Sequence, residues 1–354
     1  MPKPRLTVVL SQGQSLNPAK RSLEEEIAAA LIMEPGIDVS IVPHLYDLHE
    51  NHTGLLYLRS VPGDLVVLSW LFSRAAFWEL DRAGVKGLEG TVLLKKATED
   101  DEDLDEDDAG PDPEPKTTLG SLNAPSRSIY CLDLRDSDSP QAYLDEIRRI
   151  AAETRIQTIP LQLNTLALSA SPPLPLSSSP SDPQPDLHQW LHGSPAPAPL
   201  ARFLDPAERR WHPVIDYSRC TNCMECIDFC LFGVYGVDTA ERIAVDQPDN
   251  CKKGCPACSR VCPEHAIIFP MHKTPEIAGA PGGALAGLKI DLSKLFGGPN
   301  AFEIAALERD TELVRDGRDA VGLSVGIPKR QTGKPDRPKD DLDSLVDQLD
   351  TLEL

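Results

Sequence analysis

Cys220-Thr-Asn-Cys223-Met-Glu-Cys226-Ile-Asp-Phe-Cys230 and Cys251-Lys-Lys-Gly-Cys255-Pro-Ala-Cys258-Ser-Arg-Val-Cys262-Pro263 are the two stretches from which the rest of the chain is read. Together they hold all but one of the 9 cysteines, Cys131 being the exception. Laid over each other they form an internal repeat, the cysteine pairs offset by 31, 32, 32 and 32 residues. The flanks repeat as well. Val214-Ile215-Asp216 precedes the first run and Ala244-Val245-Asp246 the second, while Val234-Tyr235 follows one and Ala266-Ile267-Ile268 the other. Two copies of strand, cysteine loop and short helix can pack around a pseudo-twofold axis.

Two residues between cysteines let successive thiolates curl around one face of a compact inorganic cube, with the intervening amides pointing at sulfur to offset its charge. The fourth cysteine comes three residues later, where a helix is expected to begin and carry it away from the first three. The pattern resembles the bacterial two-cluster 4Fe-4S ferredoxins, whose run C-x2-C-x2-C-x3-C-P sends its fourth cysteine to the partner cluster. The resemblance spans about residues 206–271. It implies two [4Fe-4S] clusters and a crossed ligand set: Cys220, Cys223, Cys226 and Cys262 for one, Cys251, Cys255, Cys258 and Cys230 for the other. Two departures stand out. The second run opens with three intervening residues, where Gly254 is expected to take a positive φ, and Leu231 rather than proline follows Cys230. Two all-thiolate zinc sites are an alternative, but structural zinc sites usually join two separated C-x2-C pairs. A disulfide framework belongs to secreted chains.

Composition bounds the remainder. A length of 354 residues suits two domains, and 33 prolines with 5% aromatic residues point to much linker. The net charge of −20 argues against nucleic-acid phosphates and anionic membrane surfaces as partners. No apolar run is long enough for membrane insertion, and the N-terminus lacks the features of a secretory signal. A cytoplasmic protein with redox protein partners is expected.

Residues 1–160 read as an α/β domain with a doubly wound, flavodoxin-like parallel sheet, beside the small α+β dicluster ferredoxin domain at 206–275. Strands are expected at Leu6–Leu10, Ile37–Val42, Asp64–Ser69 and Ile129–Leu134. Helices are expected after Asn17-Pro18, over Ala75–Arg82 with Ser73 as cap and Gly84 as stop, and after Ser139-Pro140. An acidic insertion, 97–118, interrupts the domain and should stay disordered. A Pro/Ser-rich linker spans 161–205. Loop and short helices fill 276–333, including Ala301–Arg315, and 334–354 is a mostly disordered tail. Leu342, Leu345, Val346, Leu349 and Leu352 mark a terminal amphipathic helix in that tail.

Secondary features are weaker. Lys252, Lys253 and Arg260 put positive charge beside the second run, and His265 stands near enough to Cys262 to donate toward sulfur. Trp211, Phe229, Phe232 and Tyr235 are expected to exclude water from the clusters. Ser11-Gln12-Gly13-Gln14-Ser15 faintly resembles the phosphate loop of flavodoxins, which implies FMN there, with Trp70 and Phe72 flanking a flavin. His44, His49 and His52 form a loop group of metal-ligand type, and Cys131 reads as a small buried hydrophobe. Three functions follow: an electron carrier whose N-terminal domain recognises its partner, a flavin- or metal-dependent oxidoreductase fed by the clusters, and an iron–sulfur subunit of a larger oxidoreductase.

Overall fold

The computed structural model describes residues 6–95, 127–155, 200–203, 205–280 and 300–324. The acidic insertion 97–118, residues 161–199 of the Pro/Ser-rich stretch, 281–299, 325–333 and the 334–354 tail with its leucine pattern lie outside them. The described residues divide into two compact units. One takes in 6–70, 85–95, 127–155, 200–203 and 205–208; the other takes in 71–84, 209–280 and 300–324. The continuous 1–160 domain expected from the sequence is therefore interrupted, because 71–84 groups with the cysteine-bearing part of the chain.

The first unit is built on six parallel strands. These are β1 (Leu6–Ser11), β2 (Ile37–Val42), β3 (Leu65–Ser69), β4 (Leu88–Glu89), β5 (Ser128–Asp133) and β6 (Ala201–Arg202). They are ordered β4-β5-β3-β1-β2-β6, with Val8 opposite Val39 on one side and Val66 on the other. Every residue of β3 is buried, as an apolar run covered on both faces must be. Helix α1 (Pro18–Ile32) starts where expected, Asn17 accepting from the Ala19 amide. Its Leu23, Ile27 and Leu31 pack with Tyr143, Leu144, Ile147 and Ile150 onto Val8, Val39 and Val66. Those four belong to the helix Pro140–Arg155. Burial of each such side chain contributes roughly 1.5–3 kcal/mol. Helix α2 (Thr53–Ser60) was not expected; its Tyr57 bonds Ser40, which points to the opposite face from Val39. The end of the expected linker is strand β6, and Phe203 beside it stacks on Tyr57 at 4.6 Å.

The second unit opens with α3 (Ser73–Arg82), in which Ser73 is the first helical residue and Phe72, rather than Ser73, is the cap; Gly84 lies beyond its end at φ 82°. With the Pro140–Arg155 helix as α4, there follow β7 (Val214–Ile215), α5 (Glu225–Phe229), β8 (Tyr235–Val237), β9 (Ile243–Val245), α6 (Ala257–Val261) and β10 (Ile267–Ile268). The last helices are α7 (Pro275–Ala278) and α8 (Ala301–Arg315). The repeated flanks pair crosswise: β7 with β10 and β8 with β9, both antiparallel. That is the arrangement a pseudo-twofold axis requires. The bounds of α8 match the expected helix, closed by a reciprocal cap between Asn300 and Glu303.

Candidate metal centre

Each cysteine run loops out of a strand and returns through one short helix. In the first run Met224 and Asn222 take left-handed backbone, and α5 carries Cys226. The helix ends at Phe229, so Cys230 is its C-cap; the helix expected to begin at the fourth cysteine instead begins just before the third and ends before the fourth. The second run repeats this, with Cys258 inside α6 and Cys262 as its C-cap. Gly254, at φ 90°, absorbs the additional residue as expected.

Two cavities result. One, of about 370 Å³, is lined by Cys220, Cys223, Cys226 and Cys262 together with Ile215, Ile243 and Ile267. The other, of about 300 Å³, is lined by Cys230, Cys251, Cys255 and Cys258 together with Phe229, Phe232 and Tyr235. Among the described residues all nine cysteines are free, and no group of three or more His, Cys, Asp or Glu side chains is disposed to hold a single metal ion. Four thiols lining one cavity without converging on a single point suit a polynuclear centre better than one zinc ion.

The sulfurs are met by backbone amides. Phe232, Gly233 and Val234 donate to Cys230, and Glu264, Ala266 and Ile267 to Cys262; Phe232 and Glu264, and likewise Val234 and Ala266, are 32 residues apart. The Tyr235 hydroxyl lies 3.1 Å from Cys258 Sγ. The donor to Cys262 expected from the His265 side chain comes from the chain itself, Ala266 N at 3.3 Å. Burial pushes the thiols of Cys220, Cys226, Cys230, Cys251, Cys258 and Cys262 up, and that of Cys255 to about 11. Loading a cationic centre must displace those protons. An iron–sulfur cluster bound there would supply one-electron storage, and the cysteines would hold it as thiolates met by the backbone amides.

Two elements outside the repeat brace the site. Arg74 on α3 reaches Asp216 at 2.5 Å and the His265 carbonyl at 2.7 Å, just before Cys220 and after Cys262. Glu79 on the same helix meets Arg82 at 2.6 Å and His212 at 3.2 Å, Glu79 and His212 being buried and Arg82 partly exposed. Burial opposes the Glu79 charge, but Arg82 and His212 outweigh it and hold the carboxyl at about 2. Trp78 meets Tyr217 edge-on at 5.8 Å. On the far side α8 presents Ala305 and Phe302 to Phe229, Cys255 and Ala257, and its Arg309 lines the second cavity. Sequence reading missed Arg309. The cations it did single out are tied down: Lys252 to Asp316 at 2.6 Å and Arg260 to Glu308 at 2.9 Å, while Lys253 is exposed. Trp211 donates to the Cys255 carbonyl at 3.2 Å.

The first unit brings together less chemistry. In the loop after β1 the Gly13 amide donates to Glu24 at 2.7 Å, and Trp70 Nε1 donates to the same oxygen at 2.7 Å. A buried carboxylate thus occupies the amide that an FMN phosphate would need, and it would repel that phosphate. Two of the three histidines bond the backbone, and the third, His44, has Nδ1 3.9 Å from the Asp47 carboxylate. His52 caps α2 through the Gly54 amide and places Nε2 3.1 Å from the Asp205 carbonyl, His49 accepts from Asn51 and is exposed, and His44 is buried. Burial pushes the Cys131 thiol far up, as befits a packing residue.

Comparison with known proteins finds similarity over less than a fifth of the chain, a length consistent with the cysteine module. The chain is 48% identical over 66 residues to an uncharacterized ferredoxin of Methanocaldococcus jannaschii. This module is ferredoxin-like. Over 69 residues the chain is 36% identical to a ferredoxin-like protein of Escherichia coli, and over 59 residues it is 36% identical to the pyruvate synthase subunit PorD of M. jannaschii. The matches cover 18%, 18% and 17% of this chain, and 44%, 31% and 66% of the relatives. No family model and no solved structure matches the chain. Among the described residues no helix is long and apolar enough to cross a membrane.

Proposed function

We propose that this chain transfers electrons through two [4Fe-4S] clusters with crossed ligation. Cys220, Cys223, Cys226 and Cys262 hold one, and Cys251, Cys255, Cys258 and Cys230 the other. The observation that carries the reading is that each cavity is lined by three cysteines of one run and the last cysteine of the other. The ferredoxin-like module is the electron-carrying part. The N-terminal α/β domain recognises the redox partner, and clustered free thiols fit a reducing cytoplasm.

A second reading makes the chain an iron–sulfur subunit of a larger oxidoreductase. It is favoured by one relative, named as a subunit of pyruvate synthase. Affinity purification of the full chain from native cells under anaerobic conditions separates the two: a stoichiometric partner favours the subunit.

Anaerobically purified protein should contain about eight iron atoms per chain. Zinc, or markedly less iron, sinks the proposal. Crossing has its own test. Cys230→Ala should abolish the cluster of the second run and leave that of the first, followed by spin-quantified EPR of the reduced protein. Selective loss of the first cluster would show that the runs do not exchange ligands.

A further inference from the structure

We propose that Arg309, on α8 and outside residues 206–271, raises the reduction potential of the cluster held by Cys230, Cys251, Cys255 and Cys258, making the two clusters inequivalent. The inference rests on the two-cluster reading above. A cluster's potential responds to net charge, hydrogen bonds to sulfur and solvent exposure. Backbone hydrogen bonding is similar at the two, with three amides converging on Cys230 and three on Cys262, while the Tyr235 hydroxyl adds a donor to Cys258 in the second.

Charge breaks the symmetry. The first cavity counts Glu225 and Glu264 among its lining residues. The second has no carboxylate in its lining and has Arg309; Glu308 and Glu312 act on Cys255 only from outside that lining, as Arg74 acts on Cys262 from outside the first. That side chain is 1% exposed, with its guanidinium carbon 4.4 Å from the centroid of the Phe229 ring, next in sequence to Cys230. Water does not screen a cation so placed. Reduction adds one electron to the cluster from an external one-electron donor, and a fixed positive charge favours the more negative product.

Two effects oppose this. Asp310 pairs with Arg309 Nε at 3.0 Å. The pair is nevertheless oriented, because Asp310 is not among the residues lining the cavity and its second oxygen accepts from the Gly322 amide at 2.6 Å. Arg309 Nη2 donates to the Gly322 carbonyl at 2.6 Å, fixing the guanidinium. Arg309 is thus held at the cavity wall, where its charge acts on Cys230. Exposure also favours reduction of the first cluster, since Cys223 is exposed whereas Cys255 and Cys258 are buried. Arg309 works against that bias.

The test is an EPR-monitored redox titration of the intact chain with dithionite, with iron content measured on every sample. Arg309→Gln should lower one potential and leave the other in place, the reduction equilibrium constant of the affected cluster falling at least about tenfold, or about 59 mV for one electron. Arg309→Lys should recover most of the loss. Asp310→Asn removes the counter-charge and should move the same potential upward without faster bleaching of that cluster in air, which loosened packing would bring. It decides the matter if Arg309→Gln fails to hold its second cluster. A full iron complement with neither potential moved, both moved alike, Lys no better than Gln, or Asp310→Asn shifting downward or not at all overturns the role of Arg309 alone. A wild-type chain loaded with zinc overturns the two-cluster reading and this inference with it.

Discussion

Gly254 and His212 show how single residues carry the second unit. A Cβ at Gly254 would meet no atom within 4 Å, yet φ is 90°, so the cost of a side chain is conformational rather than steric. Gly254→Ala should destabilise by about 1–2 kcal/mol, read as a lower denaturant midpoint of the anaerobic protein; an unchanged midpoint would show that the loop relaxes freely. His212 is governed by burial, which lowers its pKa below the ordinary 6.5 against the pull of Glu79 and with the help of Arg82 and Arg210. Below about pH 6.5 the unfolded chain binds a proton that the folded chain refuses, so stability present above that pH is lost as pH falls. Glu79, held at about 2, stays ionised across this window. Denaturation midpoints should drop between pH 7.5 and 5.5, and His212→Gln should flatten the slope; a slope surviving in the variant assigns it to other groups.

At the scale of elements, α8 is the wall of the second cavity. Ala305 is fully buried against Phe229 and Cys255. Ala305→Asp should detach the helix at a cost on the order of 3 kcal/mol. The second-run cluster should then bleach in air several-fold faster while the first persists; equal lifetimes would deny α8 that role. Which elements the sequence disclosed follows from their physics. β1, β2, β3 and β5 are apolar runs that a covered sheet demands, and α1 and α8 carry caps of the strongest type. The two-residue strands β4 and β6 are too short to show any period. α2 was hidden because a histidine, not a usual capping residue, accepts its first amide. Both cysteine runs were legible by spacing, whereas Arg309 was not: helical periodicity finds a face without naming what that face covers.

The whole molecule divides along lines that do not follow the chain. The second unit needs α3, whose Arg74, Trp78 and Glu79 engage Asp216, Tyr217 and His212. A fragment of residues 206–324 lacks those partners and should retain less iron than the intact protein when both are purified anaerobically. Equal retention would show that α3 is dispensable.

The same division has a consequence at the ribosome. At about 5–20 residues per second, the strand holding Val214 leaves the exit tunnel about 7–26 seconds after Arg82. For that interval Glu79 and Arg74 have no His212 or Asp216 to meet. Translation speed between the two codons, and any factor shielding the nascent helix, should therefore govern how much newly made protein becomes competent to receive iron.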